Sequence, residues 1–124
     1  MAGYLHDDVF DNGLAPLTTL VENLYICSAQ PTTFAEALSL ALGSKAAPTI
    51  TGPADRTGGG REVTVTAITD GAVTVTGTAS HYALCDNSAS KLLVAQALSA
   101  SQPVTSGNPF TLAALKIGIP DPAV

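Results

Sequence analysis

The stretch that decides the fold runs Glu62-Val-Thr-Val-Thr-Ala-Ile-Thr69, then Asp70-Gly71, then Ala72-Val-Thr-Val-Thr-Gly-Thr-Ala-Ser-His-Tyr-Ala-Leu-Cys85. Val63, Val65 and Ala67 alternate with Thr64 and Thr66, and Val73 and Val75 alternate with Thr74 and Thr76. β-Branched residues in strict alternation mark strands with one buried face. Asp-Gly between two such runs is a hairpin signal, because the turn needs positive φ and glycine adopts it without a steric cost. The stretch therefore predicts the central hairpin of an antiparallel sheet, turning at Asp70-Gly71 or over a slightly longer loop that includes Thr69. If residues 72–85 form one unbroken strand, Val73, Val75, Ala79, His81, Ala83 and Cys85 share a face, with Tyr82 and Leu84 opposite. Gly77 is the alternative, a bulge or bend that switches faces.

Downstream, Asp86-Asn-Ser-Ala-Ser90 reads as a polar turn. Lys91-Leu-Leu-Val-Ala-Gln-Ala-Leu98 has the composition of a helix or a strand; its place between two strand signals at meander spacing selects strand. Pro103-Val-Thr-Ser-Gly-Asn-Pro109 supplies the next turn, Phe110–Ile119 closes the sheet, and Pro120–Val124 is a stop.

Upstream, Leu5, Val9, Phe10, Leu14, Leu17 and Val21 recur near a helical period. Asp7 or Asp8 suits an N-cap, while Gly13 and Pro16 argue against one continuous helix, so a short helix over about 7–14 with a looser continuation is expected. Asn23–Ala29 is a short strand stopped at Gln30-Pro31. Thr33-Phe-Ala-Glu36 fits a capping box that opens a helix over about 34–42, with Gly43 at C′. Residues 44–61 read as loop, with Thr49-Ile50-Thr51 a short edge strand. Gly58-Gly-Gly-Arg61 lacks the lysine and the following helix of a phosphate loop and reads as a connector.

At 124 residues the chain predicts a single domain, 1–124, able to bury a core without staples. It is 46% hydrophobic but only 12% charged, against about a quarter for a typical domain. Much of the surface must then be Thr, Ser, Ala, Gly and Pro, which favours contact with other protein. A net charge of −5 with five Lys plus Arg leaves no basic stripe, so direct nucleic-acid binding is not expected. The apolar runs are too short to span a bilayer. The acidic start, Met1-Ala-Gly-Tyr-Leu-His-Asp-Asp8, does not read as a signal peptide, and synthesis in a cytoplasm is expected. The expected class is mainly β: an antiparallel β-sandwich or meander with one or two short N-terminal helices.

Candidate chemistry is sparse. Cys27 and Cys85 read as small buried hydrophobes, and a disulfide between them needs neighbouring strands with suitable Cβ separation. His81 and Cys85, four apart on a strand, lie more than roughly 10 Å apart by strand rise, too far for a Cys–His nucleophile pair. His81 therefore reads as a hydrogen-bonded structural histidine. His6 with Asp7 and Asp8 is a weak metal candidate without a spacing motif. Asp55-Arg56 and Arg61-Glu62 read as solvated ion pairs. Neither G-x-S-x-G, H-E-x-x-H nor C-x-x-C occurs. No catalytic, cofactor-binding or metal residue is assigned and no enzyme activity is expected.

Several pieces, in this order, resemble a group of small virion proteins of tailed bacteriophages. They are Tyr4…Gly13-Leu14, Leu24-Tyr-Ile-Cys-Ser-Ala-Gln-Pro-Thr-Thr-Phe-Ala-Glu-Ala37, Gly77-Thr-Ala-Ser-His-Tyr-Ala-Leu-Cys-Asp86, Val104-Thr-Ser-Gly-Asn108 and Ile117-Gly-Ile-Pro-Asp-Pro122. The resemblance implies a structural component of the particle. Its first form is a capsid decoration (cement) protein whose partners are the major capsid protein and neighbouring copies of itself, as a homo-oligomer. Head-fibre, collar or tail components are the alternative, and the resemblance transfers no catalytic residues. A small ligand- or carbohydrate-binding β-sandwich is a further alternative, but such sites usually display several aromatics, and this chain has no Trp and three Tyr. A small hydrolase would need a nucleophile near His81 or His6.

Overall fold

The computed structural model describes residues 4–5, 13–14, 16–55 and 61–119. It is mainly β, with antiparallel sheets and two short helices. The strands are β1 (Tyr4–Leu5), β2 (Asn23–Cys27), β3 (Ala41–Ala46), β4 (Ile50–Asp55), β5 (Arg61–Val65) and β6 (Ile68–Val73) in the first part of the chain. Then come β7 (Gly77–Asp86), β8 (Lys91–Val104), β9 (Pro109–Leu112) and β10 (Leu115–Ile119). The helices are α1 (Leu17–Leu20) and α2 (Phe34–Leu40). A seven-stranded sheet has the order β1-β8-β7-β2-β3-β6-β9, and a three-stranded sheet the order β10-β5-β4.

The two sheets share one core. Leu24, Ile26, Leu42, Tyr82, Leu84 and Leu93 of the large sheet meet Val63, Val65 and Ile117 of the small one, with Leu14 and Leu17 inserted beside them. Removing a Leu- or Ile-sized side chain from water stabilises by about 1.5–3 kcal/mol, so this cluster is the main source of cohesion. The other face of the large sheet is covered by α2, where Phe34, Ala37 and Leu40 pack on Cys27, Ala83, Cys85, Leu92 and Ala95. With both faces covered, β7 is buried without a break from His81 to Asp86.

Residues 61–119 form a nested ribbon. Its inner end is the hairpin β7–β8, closed by the turn Asn87–Ser90, where the Asp86 carboxylate accepts from the Ala89 amide. At its far end Gly77 pairs with Val104. The two strands then stay together through the following loops: Val73 and Gly107 exchange backbone bonds with Asn108 and Val73, and the Thr76 hydroxyl accepts from Ser106 N. Pairing resumes as β6–β9 and passes the corner at 66–67 and 113–114 in constant register, with Ile68 opposite Leu112 before it and Val65 opposite Leu115 after it. One double strand thereby serves both sheets, turning from the large one into the small one at that corner.

Four expectations need correction. Asp70-Gly71 is not a hairpin turn. It lies inside β6 at a register shift, and Gly71 is opposite Phe110, whose ring fills the place of a glycine side chain, with Cε2 2.1 Å from where a Cβ would sit. The alternating runs 62–65 and 72–73 therefore belong to different sheets. Ala67 and Val75 are exposed. Second, β7 begins at Gly77, but the face switches at Ser80: Ala79 and Tyr82 both enter the central core, where β8 carries extra residues opposite Ala79 and His81. Third, α2 stops at Leu40 and Gly43 is no helix cap; it lies in β3, where a Cβ would come within 2.4 Å of the Ala72 carbonyl. Residues 44–61 accordingly contain strand at 44–46 and at 50–55 rather than loop alone. Fourth, 110–119 divides between β9 and β10, and Leu5 is in a strand. The helix expected over about 7–14 lies largely outside the described residues; Gly13 and Leu14 are not helical, and Pro16 instead opens α1.

Candidate functional site

A small polar cluster surrounds His81. The register places Cys27 directly opposite it on β2 and Ala97 opposite it on β8. The switch of faces at Ser80 brings two consecutive side chains together, and Ser80 Oγ lies 2.8 Å from His81 Nδ1. The same hydroxyl donates to the Ser28 carbonyl at 2.9 Å. A hydroxyl has one proton. With it committed to Ser28, Nδ1–H is the donor to Ser80. Nε2 is buried and has no hydrogen-bond partner among the described residues, and His81 is 8% exposed. A nucleophile–base–orienter arrangement needs a third group on the far ring nitrogen, and no described residue meets it. The cluster joins β7 to the end of β2 across the bulge.

This Ser–His contact was missed in the sequence because neighbours on a regular strand point to opposite faces. The signal available was the clash of periods around it, in which Ala79, Tyr82 and Leu84 share a core although Ala79 and Tyr82 are an odd number apart.

Both thiols are free and fully buried. Their strands are neighbours, but Cys27 is opposite His81 and Cys85 opposite Asn23, four residues along the ladder, which separates the Cα atoms beyond disulfide reach. Burial pushes the Cys27 thiol up to about 11 and the Cys85 thiol up to about 12. Such thiols are poor nucleophiles at neutral pH. Beyond Cys85, the Asn87 amide bridges strands: it accepts from Asn23 Nδ2 and donates to the Tyr25 hydroxyl at 2.9 and 2.8 Å. Glu22 accepts from the Ser88 amide and hydroxyl, which holds its carboxyl below the usual range.

Surface depressions among the described residues include two at the sheet ends. One, about 360 Å³, lies over Asp70–Val73 and Gly107–Pro109. The other, about 150 Å³, lies between Leu98–Gln102 of β8 and Thr111–Leu115. Gln102 Nε2 spans the second, donating to the Thr111 carbonyl at 3.1 Å, so the large sheet curls until its two ends approach. Among the described residues no cluster of three His, Cys, Asp or Glu is placed to hold a metal ion. His6, Asp7, Asp8, Arg56 and the glycine run 58–60 lie outside them, as does the Asp55 side chain. Arg61 and Glu62 do not pair as expected: Glu62 meets Lys116 at 3.2 Å, and Arg61 donates to the Pro53 carbonyl. No helix among the described residues is long and apolar enough to cross a membrane.

No protein-family model, curated protein or solved structure matches the chain.

Proposed function

We propose that the protein is a structural component of a tailed-phage particle, a decoration protein that binds the major capsid protein and stabilises the head. The observation that carries this reading is the surface: both sheets end in strands that pair with no further described strand on their outer side, and the exposed positions around them are mostly Thr, Ser, Ala, Gly and Pro with few charges. Free edges pair with other protein through main-chain bonds, and a charge-poor rim does not repel a neighbour. On a lattice, many such weak contacts multiply through avidity.

On this reading the Ser80–His81–Ser28 cluster is a brace. Replacing His81 with Ala lowers stability and leaves no reaction abolished; a turnover lost in both His81→Ala and Ser80→Ala would overturn the reading. Its position is tested by density in a reconstructed particle. Hundreds of copies at the capsid's local symmetry axes are expected. A ring of six or twelve at the portal or tail would move the protein to the collar or tail, and absence from purified particles would remove the virion role.

A further inference from the structure

We propose that β10 is a pairing edge for a second copy of this chain, which adds its own β10 antiparallel about a twofold axis through Ile117. The inference holds for the free protein whatever particle it serves.

The outer edges of the molecule differ in how they are guarded. On β4 the edge contains Pro53, which has no amide proton, and a register shift between Thr51 and Ala54. On β9 it starts at Pro109, and its Thr111 carbonyl is already taken by Gln102. On β8 it holds β1 over Val94 and Ala95 and contains Pro103 farther along. Proline, bulges and covering segments are the usual guards against edge pairing. By contrast β10, Leu115-Lys-Ile-Gly-Ile119, carries neither proline nor bulge and is covered by no described segment; its one charged side chain, Lys116, is turned to Glu62. It pairs with β5 on one side and with no described strand on the other.

The side chains suit an antiparallel copy. About Ile117, Leu115 stands opposite the partner's Ile119, and Lys116 opposite the partner's Gly118. Leu115, Ile117 and Ile119 lie on the core side of the small sheet, with Leu115 and Ile119 only half-buried; pairing lines them up with the same residues of the partner and covers them. On the outer side Glu62 is directly across from Gly118. In the dimer the row becomes Glu62, Gly118 and the partner's Lys116. Gly118 has no side chain, so the partner's Lys116 can lie over it and reach Glu62. Each Glu62, which now has its own Lys116 at 3.2 Å, gains a second cation in a chain of net charge −5. The closed symmetry stops at two copies and yields one continuous six-stranded sheet.

Five residues per edge make a small interface, so the association is weak and is sought at high protein concentration. Sedimentation velocity on the full chain should show monomer at micromolar and dimer approaching millimolar concentration. Over that range, amide exchange should slow at 115–119. Lys116→Glu, at an exposed position, should weaken dimerisation by about tenfold or more. Combined with Glu62→Lys it should restore dimerisation, with monomer melting temperatures as the control on folding. A protein that stays monomeric throughout would overturn the proposal. So would a dimer indifferent to Lys116→Glu, a charge swap that folds without rescue, or concentration-independent exchange at 115–119.

Discussion

At Gly71 the Phe110 ring occupies the room of a missing side chain, and both residues are buried. Any Cβ there forces the ring off its place in the core. Gly71→Ala is expected to destabilise by about 1–3 kcal/mol, the usual cost of overpacking, read from the denaturant midpoint; an unchanged midpoint would mean that the ring yields freely. The cysteines give a second test at this scale. With both thiols pushed up by burial, iodoacetamide at mildly alkaline pH should label the unfolded chain and leave the native one unmodified. The linkage has a sign. A folded pKa above the unfolded value of about 8.5 leaves stability intact below that pH and removes it as pH climbs towards 11. Stability curves should therefore fall on the alkaline side, and less steeply in Cys85→Ala.

Among the elements, α2 is the one whose start was written most clearly. Thr33 accepts from the Glu36 amide as a capping box requires, at 3.1 Å, while Glu36 reaches back to the amide and hydroxyl of Thr32 rather than of Thr33. Losing the cap through Thr33→Ala should cost about 1 kcal/mol. The Thr32 hydroxyl, then its amide, hold the Glu36 carboxyl below the usual range. This depressed folded value contributes stability above the ordinary glutamate pKa of about 4.3. That contribution is lost as pH falls through the folded value, so the stability gap between the native chain and Glu36→Gln should close in acid. The end of α2 was not legible, because Ala41–Ala46 is drawn into strand by β2 on one side and β6 on the other. Pairing partners decided it, and they lie far along the chain. The same holds at Asp70-Gly71, where local turn propensity lost to pairing with β9. Alternation in 62–65 and 72–73 announced strands correctly, but period alone cannot say that two adjacent strands belong to different sheets. The strand reading of 91–98 and the turn at 86–90 were recoverable because spacing and turn residues agreed. In and around the His81 cluster, the histidine was legible as a hydrogen-bonded structural residue and the two cysteines as small buried hydrophobes, whereas the Ser80 contact depended on a bulge that no short window reveals.

For the whole molecule, the expected class of antiparallel β-sandwich or meander with short N-terminal helices is the one observed. Its two sheets are held by the corner that β5–β6 and β9–β10 turn together. A chain ending at Asn108 would leave β5 and β6 without β10 and β9 and expose Val63, Val65 and Ile68. It is expected to lose its cooperative thermal transition, which calorimetry would register.

The nesting of residues 61–119 also sets an order of events in time. Joining Arg61 to Ile119 directly would mean closing a long loop, the step that makes β-topologies slow. Once the β7–β8 turn has formed and zipped to Gly77 and Val104, the next pair, Ala72 with Pro109, is only a few residues away, and each later pair is a neighbour of the last. Closure entropy is then met in small instalments. Refolding should thus be faster than an antiparallel sandwich of this size would suggest, with β2 and β3 arriving late between β7 and β6. Conservative truncations at Ala83 and Val94, on the inner hairpin, should slow folding, while Ile26→Val on β2 should chiefly speed unfolding.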